Sequence, residues 1–194
     1  REHDRNLRRM RRALEDLEYD GAGADVALGY FAGHGFEVAG DNRLLAVDGD
    51  SSSAAALMDT SLSLTEIRET VARIAQIGIV LVDACREDPF AATGEGRGGA
   101  SLKGGALSTG FAPVDRETGT LVGFATAPGD TASDGTDGHS PFAAALVRHL
   151  GTPGLEVRSV LTLVQQEVYD RTAGDQLPYV ESALPRLFFA AEEA

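Results

Sequence analysis

The chain has 194 residues, a single cysteine and a formal charge of −13, with 43% hydrophobic and 24% charged residues. This is the profile of a globular fold with one core of ordinary size. It excludes a disulfide within the chain and a nucleic-acid binder built on basic patches. It also excludes a spanning helix, because the longest apolar run, residues 77–82, falls far short of the roughly 20 residues a membrane requires. The acidic field suits cationic substrates or metal ions, or solubility alone.

REHDRNLRRMRRALEDLE reads as a helix already under way at Arg1. Leu7, Met10, Leu14 and Leu17 share one face, and Arg5, Arg8, Arg9, Arg11 and Arg12 form its solvated side. We therefore read the sequence as a fragment whose natural start lies upstream, which leaves targeting and compartment open. DVALGYF (25–31) reads as a strand leading into a turn-rich loop, AGHGFEVAGDN, and RLLAV (43–47) as a short second strand. SLSLTEIRETVARIA carries Leu64, Ile67, Val71 and Ile74 at helical spacing, with Ser63 and Glu66 as a capping box. IGIVLV (77–82) has the continuous apolar character of a central parallel strand buried on both faces.

Residues 91–110, rich in glycine, are expected to form a mobile loop. TLVGFATA (120–127) is a further strand, and Ser140 with Pro141 caps and opens the helix PFAAALVRHL. A helix over about 156–172 faces Val157, Val160, Leu161, Val164 and Val168 inward, and RLFFA supplies a last strand. Strands alternating with helices predict an α/β layered fold, its sheet largely parallel.

Ligands in such sheets bind beyond the carboxyl ends of the strands. His34 follows the strand ending at Phe31, and Cys85 follows the one ending at Val82. If these strands are neighbours, imidazole and thiol face one cleft, as nucleophilic catalysis requires. Gly33 and Gly35 flank His34, and the N–H groups of Gly35 and Cys85 suit an oxyanion hole. His139, in a loop before an N-cap, reads as solvated, and His149, at a helix end, as a dipole partner. Asp41, Asp48, Asp50 and Asp59 invite a calcium site on ligand chemistry, but no loop has EF-hand spacing and solvated turns account for them. Neither GAGADV nor GGASLKGG matches a nucleotide-binding glycine motif.

YFAGHG followed some fifty residues later by VDACR, with NRLLAVD, DACREDPF, GTLVGFATAPGDTASDG and HSPFAAALVRHL in order, resembles the caspase-like cysteine peptidases, in particular their bacterial metacaspase-like branch. The resemblance runs from about Asp25 to Phe189. It implies a three-layer α/β/α sandwich over one catalytic domain, residues 1–194, lacking the strand-helix-strand that usually opens the fold. It makes Cys85 the nucleophile and His34 its partner, with Gly35 and Cys85 holding the oxyanion. Asp83 matches a position lining the S1 pocket, where metacaspase-like members favour arginine or lysine, and a carboxylate suits such a cation. Asp134 matches the region where caspases carry an aspartate-binding arginine, although Asp134-Gly135 equally suits a turn. Tyr179 stands where relatives usually carry tryptophan.

The expected activity is thus cleavage of peptides or proteins after Arg or Lys through an acyl-enzyme. The resemblance requires no cofactor but admits activation by calcium, and a preference for basic residues admits self-processing after Arg97 or Lys103. The alternative is a catalytically silent caspase-like domain that binds peptides or partners.

Overall fold

The computed structural model describes residues 5–38, 40–85, 101–102, 105–108, 118–127, 132, 135 and 138–191. At its centre lies β4 (Ala75–Cys85), hydrogen-bonded in parallel to β1 (Ala24–Val38) on one side and to β7 (Thr120–Phe124) on the other. Two short strands, β2 (Asp41–Leu45) and β3 (Ser61–Ser63), and the last strand, β8 (Tyr179–Ser182), extend the sheet antiparallel, in the order β3-β2-β1-β4-β7-β8. β5 (Ser101–Leu102) pairs with β6 (Gly105–Ser108), which in turn pairs with the end of β1. The parallel core with helices on both sides is the caspase-like α/β sandwich that the resemblance implies.

Each face of β4 packs on a different layer, as the alternation of strand side chains requires. Ile79 and Leu81 meet α4 (Pro141–His149) and α5 (Val157–Arg171) in one core. Val80, Val82 and Ala84 meet α3 (Leu64–Ile74) in the other, with Met10 and Leu17 of α1 (Leu7–Asp20) at its edge. The short helix α2 (Ala54–Asp59) packs with Phe36 and Val38 beyond the sheet's carboxyl end. Among the described residues, no helix is long and apolar enough to cross a membrane.

The local signals explain why the helices start where they do. Ser63 and Glu66 close a capping box on α3, and the Ser140 hydroxyl accepts from the Ala143 N–H ahead of Pro141 on α4. All five predicted inward residues of α5 are buried, each contributing about 1.5–3 kcal/mol of transfer free energy.

Three expectations are corrected. The stretch after Phe31 is not a loop: β1 continues through His34 to Val38, and the chain reverses at Gly40, whose φ of 88° suits glycine. Pairing with β2 and β6 overrides the turn-like composition there. Part of 91–110 is likewise not loop but the β5/β6 ladder, and the rest of that stretch lies outside the described residues. RLFFA is not a strand: only an isolated bridge joins Phe189 to Glu156, while Phe188 packs on the α4/α5 core and its carbonyl accepts from the Val157 N–H. The sheet edge is taken instead by YVES.

Candidate active site

β1 and β4 run in unbroken parallel register, from Val26 opposite Ile77 through Ala32 opposite Asp83 to His34 opposite Cys85. His34 and Cys85 are therefore the final pair of the ladder. With neighbouring strands about 4.8 Å apart, two residues 51 positions apart in sequence stand side by side. Beyond this pair β1 exchanges partners: Gly35 is the first residue registered with β2, opposite Leu44. His34 and Cys85 therefore stand at the carboxyl end of the parallel strands, the side on which open α/β sheets take ligands.

His34 is exposed, and Gly35 behind it is buried. A Cβ at Gly33 would lie 2.9 Å from Phe31 Cζ, so glycine allows the Phe31 ring to close over the strand just before His34. Beside this pair lies Asp83, a residue only 9% exposed. Its Oδ2 accepts the Tyr30 hydroxyl at 2.7 Å and the Ser140 hydroxyl at 2.6 Å. Tyr30 and His34 lie at alternate positions of one strand and so share a face with Asp83 of β4. Neither hydroxyl was picked out as part of the site from the sequence, where Ser140 reads as a helix cap and Tyr30 as strand. The alternation Tyr30, Ala32, His34 was the available signal.

The other candidates separate from this cluster. Asp134, Arg97 and Lys103 lie outside the described residues, as does Arg86. His139 is exposed before α4, as read. His149 is bound elsewhere: its Nε2 lies 2.8 Å from Glu167 Oε2, and Arg148 and Arg171 approach Oε1 of the same carboxylate at 3.2 and 3.3 Å. Desolvation pushes the Glu167 carboxyl up, but hydrogen bonds from His149 and Arg171 with the charge of Arg148 outweigh it and hold the group below its ordinary value.

Three of the four acids that invited calcium are engaged in structure. Asp41 accepts from Arg43 and Ser63, Asp48 from the Leu7 N–H, and Asp50 from the Ser52 N–H. The Ser52 hydrogen bonds hold the Asp50 carboxyl below its usual value. Asp59 is exposed. Among the described residues no three His, Cys, Asp or Glu side chains cluster as a metal site would.

A family model described as Caspase domain matches residues 1–189. The chain belongs to the caspase-domain family. Its fold is similar to the crystal structure of caspase-1 from Spodoptera frugiperda, at 18% identity and a TM-score of 0.57, over 96% of this chain and 71% of that one. At that identity the likeness speaks for the fold alone. No curated protein matches the chain. Caspase domains form a family of cysteine peptidases acting on proteins. In this caspase domain, a histidine and a cysteine, His34 and Cys85, stand opposite each other at the carboxyl end of the β1/β4 ladder.

Proposed function

We propose that this chain is a cysteine endopeptidase of the bacterial metacaspase-like branch, cleaving after arginine or lysine. The observation that carries the reading is the terminal register pair of His34 and Cys85 on adjacent parallel strands, in a caspase domain. His34 takes the Cys85 thiol proton, and the thiolate attacks the carbonyl carbon of the scissile bond. The oxyanion so formed receives the N–H groups of Gly35 and Cys85. Its collapse expels the amine, which His34 protonates. His34 then deprotonates water, whose attack on the thioester releases the acid and restores the thiol.

Asp83 meets the cationic side chain of the residue being cut, with Asp134 as a second acid. A buried carboxylate selects a cation because an aspartate substrate there would set two like charges together in a low-dielectric site. Arg97 and Lys103 are the internal sites such an enzyme would cut. The chemistry needs no cofactor, and calcium belongs in the assay only as a condition to vary.

The test is turnover of matched fluorogenic peptides ending in Arg, Lys or Asp, with Cys85→Ala as control and intact mass followed in parallel. The reading expects Arg and Lys peptides to be cut, Cys85→Ala to lose about 10³-fold or more, and mass loss to fall after Arg97 or Lys103. Preference for the Asp peptide would overturn the basic pocket. A mass that never changes in an active preparation would remove self-processing. No turnover with or without calcium would favour the silent, peptide-binding alternative.

A further inference from the structure

Asp83 is buried, yet it stands next to the end of the ladder where substrate must approach. Both hydroxyl donors converge on one oxygen, Oδ2, at 2.7 Å from Tyr30 and 2.6 Å from Ser140. These distances fit the range of a hydroxyl bonded to an ionised carboxylate, about 2.5–2.7 Å.

The two donors come from separate layers, and the serine is itself held in place. Tyr30 sits two turns of the strand pleat before His34, its ring 48% exposed along β1 while its hydroxyl reaches Asp83. Ser140 caps α4: its oxygen accepts the Ala143 N–H at 2.9 Å, which turns the hydroxyl proton toward Asp83. The positive end of the α4 dipole lies on the same side as the carboxylate and favours its charge. Ser140 also closes the segment 128–140, which carries Asp134 in sequence.

We propose that Tyr30 and Ser140 are positioning residues for specificity: they clamp one oxygen of Asp83 so that the carboxylate presents a fixed orientation to a planar guanidinium. The inference rests on the reading of Asp83 as the pocket acid. Its physical content is pre-organisation. An unclamped carboxylate rotates and must be ordered when substrate binds, whereas a clamped one has already lost that freedom. The gain applies to a cation that pairs with the carboxylate in defined geometry, arginine above all. It does not apply to a side chain of the same shape without charge.

Citrulline supplies that neutral shape. The experiment compares kcat/KM for matched arginyl and citrullinyl peptides in the wild type, Tyr30→Phe, Ser140→Gly and Ser140→Thr, with a thermal melt on each. Glycine retains most of a serine's capping contribution, and threonine restores the hydroxyl. The arginine-over-citrulline preference is expected to fall about tenfold in Tyr30→Phe and in Ser140→Gly, the scale of one charge-assisted hydrogen bond. The fall appears in KM for the arginyl peptide rather than in kcat, and Ser140→Thr recovers it. Variants that melt earlier but keep the wild-type preference would overturn the inference, leaving the hydroxyls as a latch between α4 and the sheet. A wild type that cuts both peptides equally would overturn the basic-pocket reading, and the inference with it. That failure is visible before any variant is made.

Discussion

Two helices on opposite sides of the sheet, α5 and α1, are built on opposite terms. α5 buries Val157, Val160, Leu161, Val164 and Val168 against the sheet and α4, and its amphipathic character is modest. α1 is far more strongly amphipathic, yet none of its residues is fully buried. Beneath its apolar face runs a groove of about 700 Å³, lined by Met10, Ala13, Leu14 and Leu17 of α1, by Phe31 and Val80 of the sheet and by Ile67 of α3. Besides the contacts of Met10 and Leu17 with the α3 core, α1 has polar ties at its ends. The Leu7 N–H donates to Asp48, and Arg73 of α3 pairs with Glu18 at 2.8 Å. Amphipathicity in sequence thus says which way a helix faces, not how closely its neighbours cover it. The layer of α5 is also the one that supplies Ser140 to Asp83, so a well-packed helix pair stands behind that carboxylate.

The sharpest way to break this contrast is to truncate one apolar side chain in each layer. Phe142→Ala, at a fully buried position on α4, is expected to cost about 3–5 kcal/mol in urea denaturation. Leu14→Ala on α1 is expected to cost only about 1 kcal/mol, because its side chain is already partly solvated. Equal costs would mean that α1 is as firmly packed as α5.

A smaller effect of opposite sign is expected from filling the groove. Ala13→Leu should raise stability by up to about 1 kcal/mol, and a loss would show that the space is not available to a side chain. The smallest effect concerns the charged seam between α4 and α5. Because the folded Glu167 carboxyl lies below its ordinary value of 4.5, its contribution is present above the unfolded value and disappears as pH falls through the folded one. Glu167→Gln should therefore cost about 1 kcal/mol near pH 7, and the gap from wild type should close in acid. A gap that stays constant with pH would place the cost in packing rather than in charge.

What the sequence disclosed follows from how local each signal is. The capping box at Ser63 and Glu66, the Ser140-Pro141 start and the inward residues of α5 are all written within one or two helical turns, and all were legible. So was the central strand, since a run buried on both faces needs no partner to be recognised. The continuation of β1 past Phe31 was not legible, because its glycines suggest a turn until β2 and β6 are known to pair there. The final strand was misassigned for a related reason: YVES is half-polar and finds its place only by pairing with β7, while apolar RLFFA packs without pairing. The approach of His34 to Cys85 required only the guess that two strands are neighbours. The clamp on Asp83 spans 53 and 57 residues and depends on the fold bringing three elements together, so no local pattern foretold it.

The central claim is that β1 and β4 bring His34 and Cys85 together to make a reactive thiol. Because Cys85 is the chain's only cysteine, bulk alkylation reports on that one site. The most direct measurement is the rate of iodoacetamide labelling between pH 5 and 9 in the wild type and in His34→Ala. The account predicts that the wild type reacts well below the free-thiol pKa of about 8.5, and that His34→Ala moves the profile back toward it. Identical profiles in the two proteins, each following an ordinary thiol, would contradict the dyad.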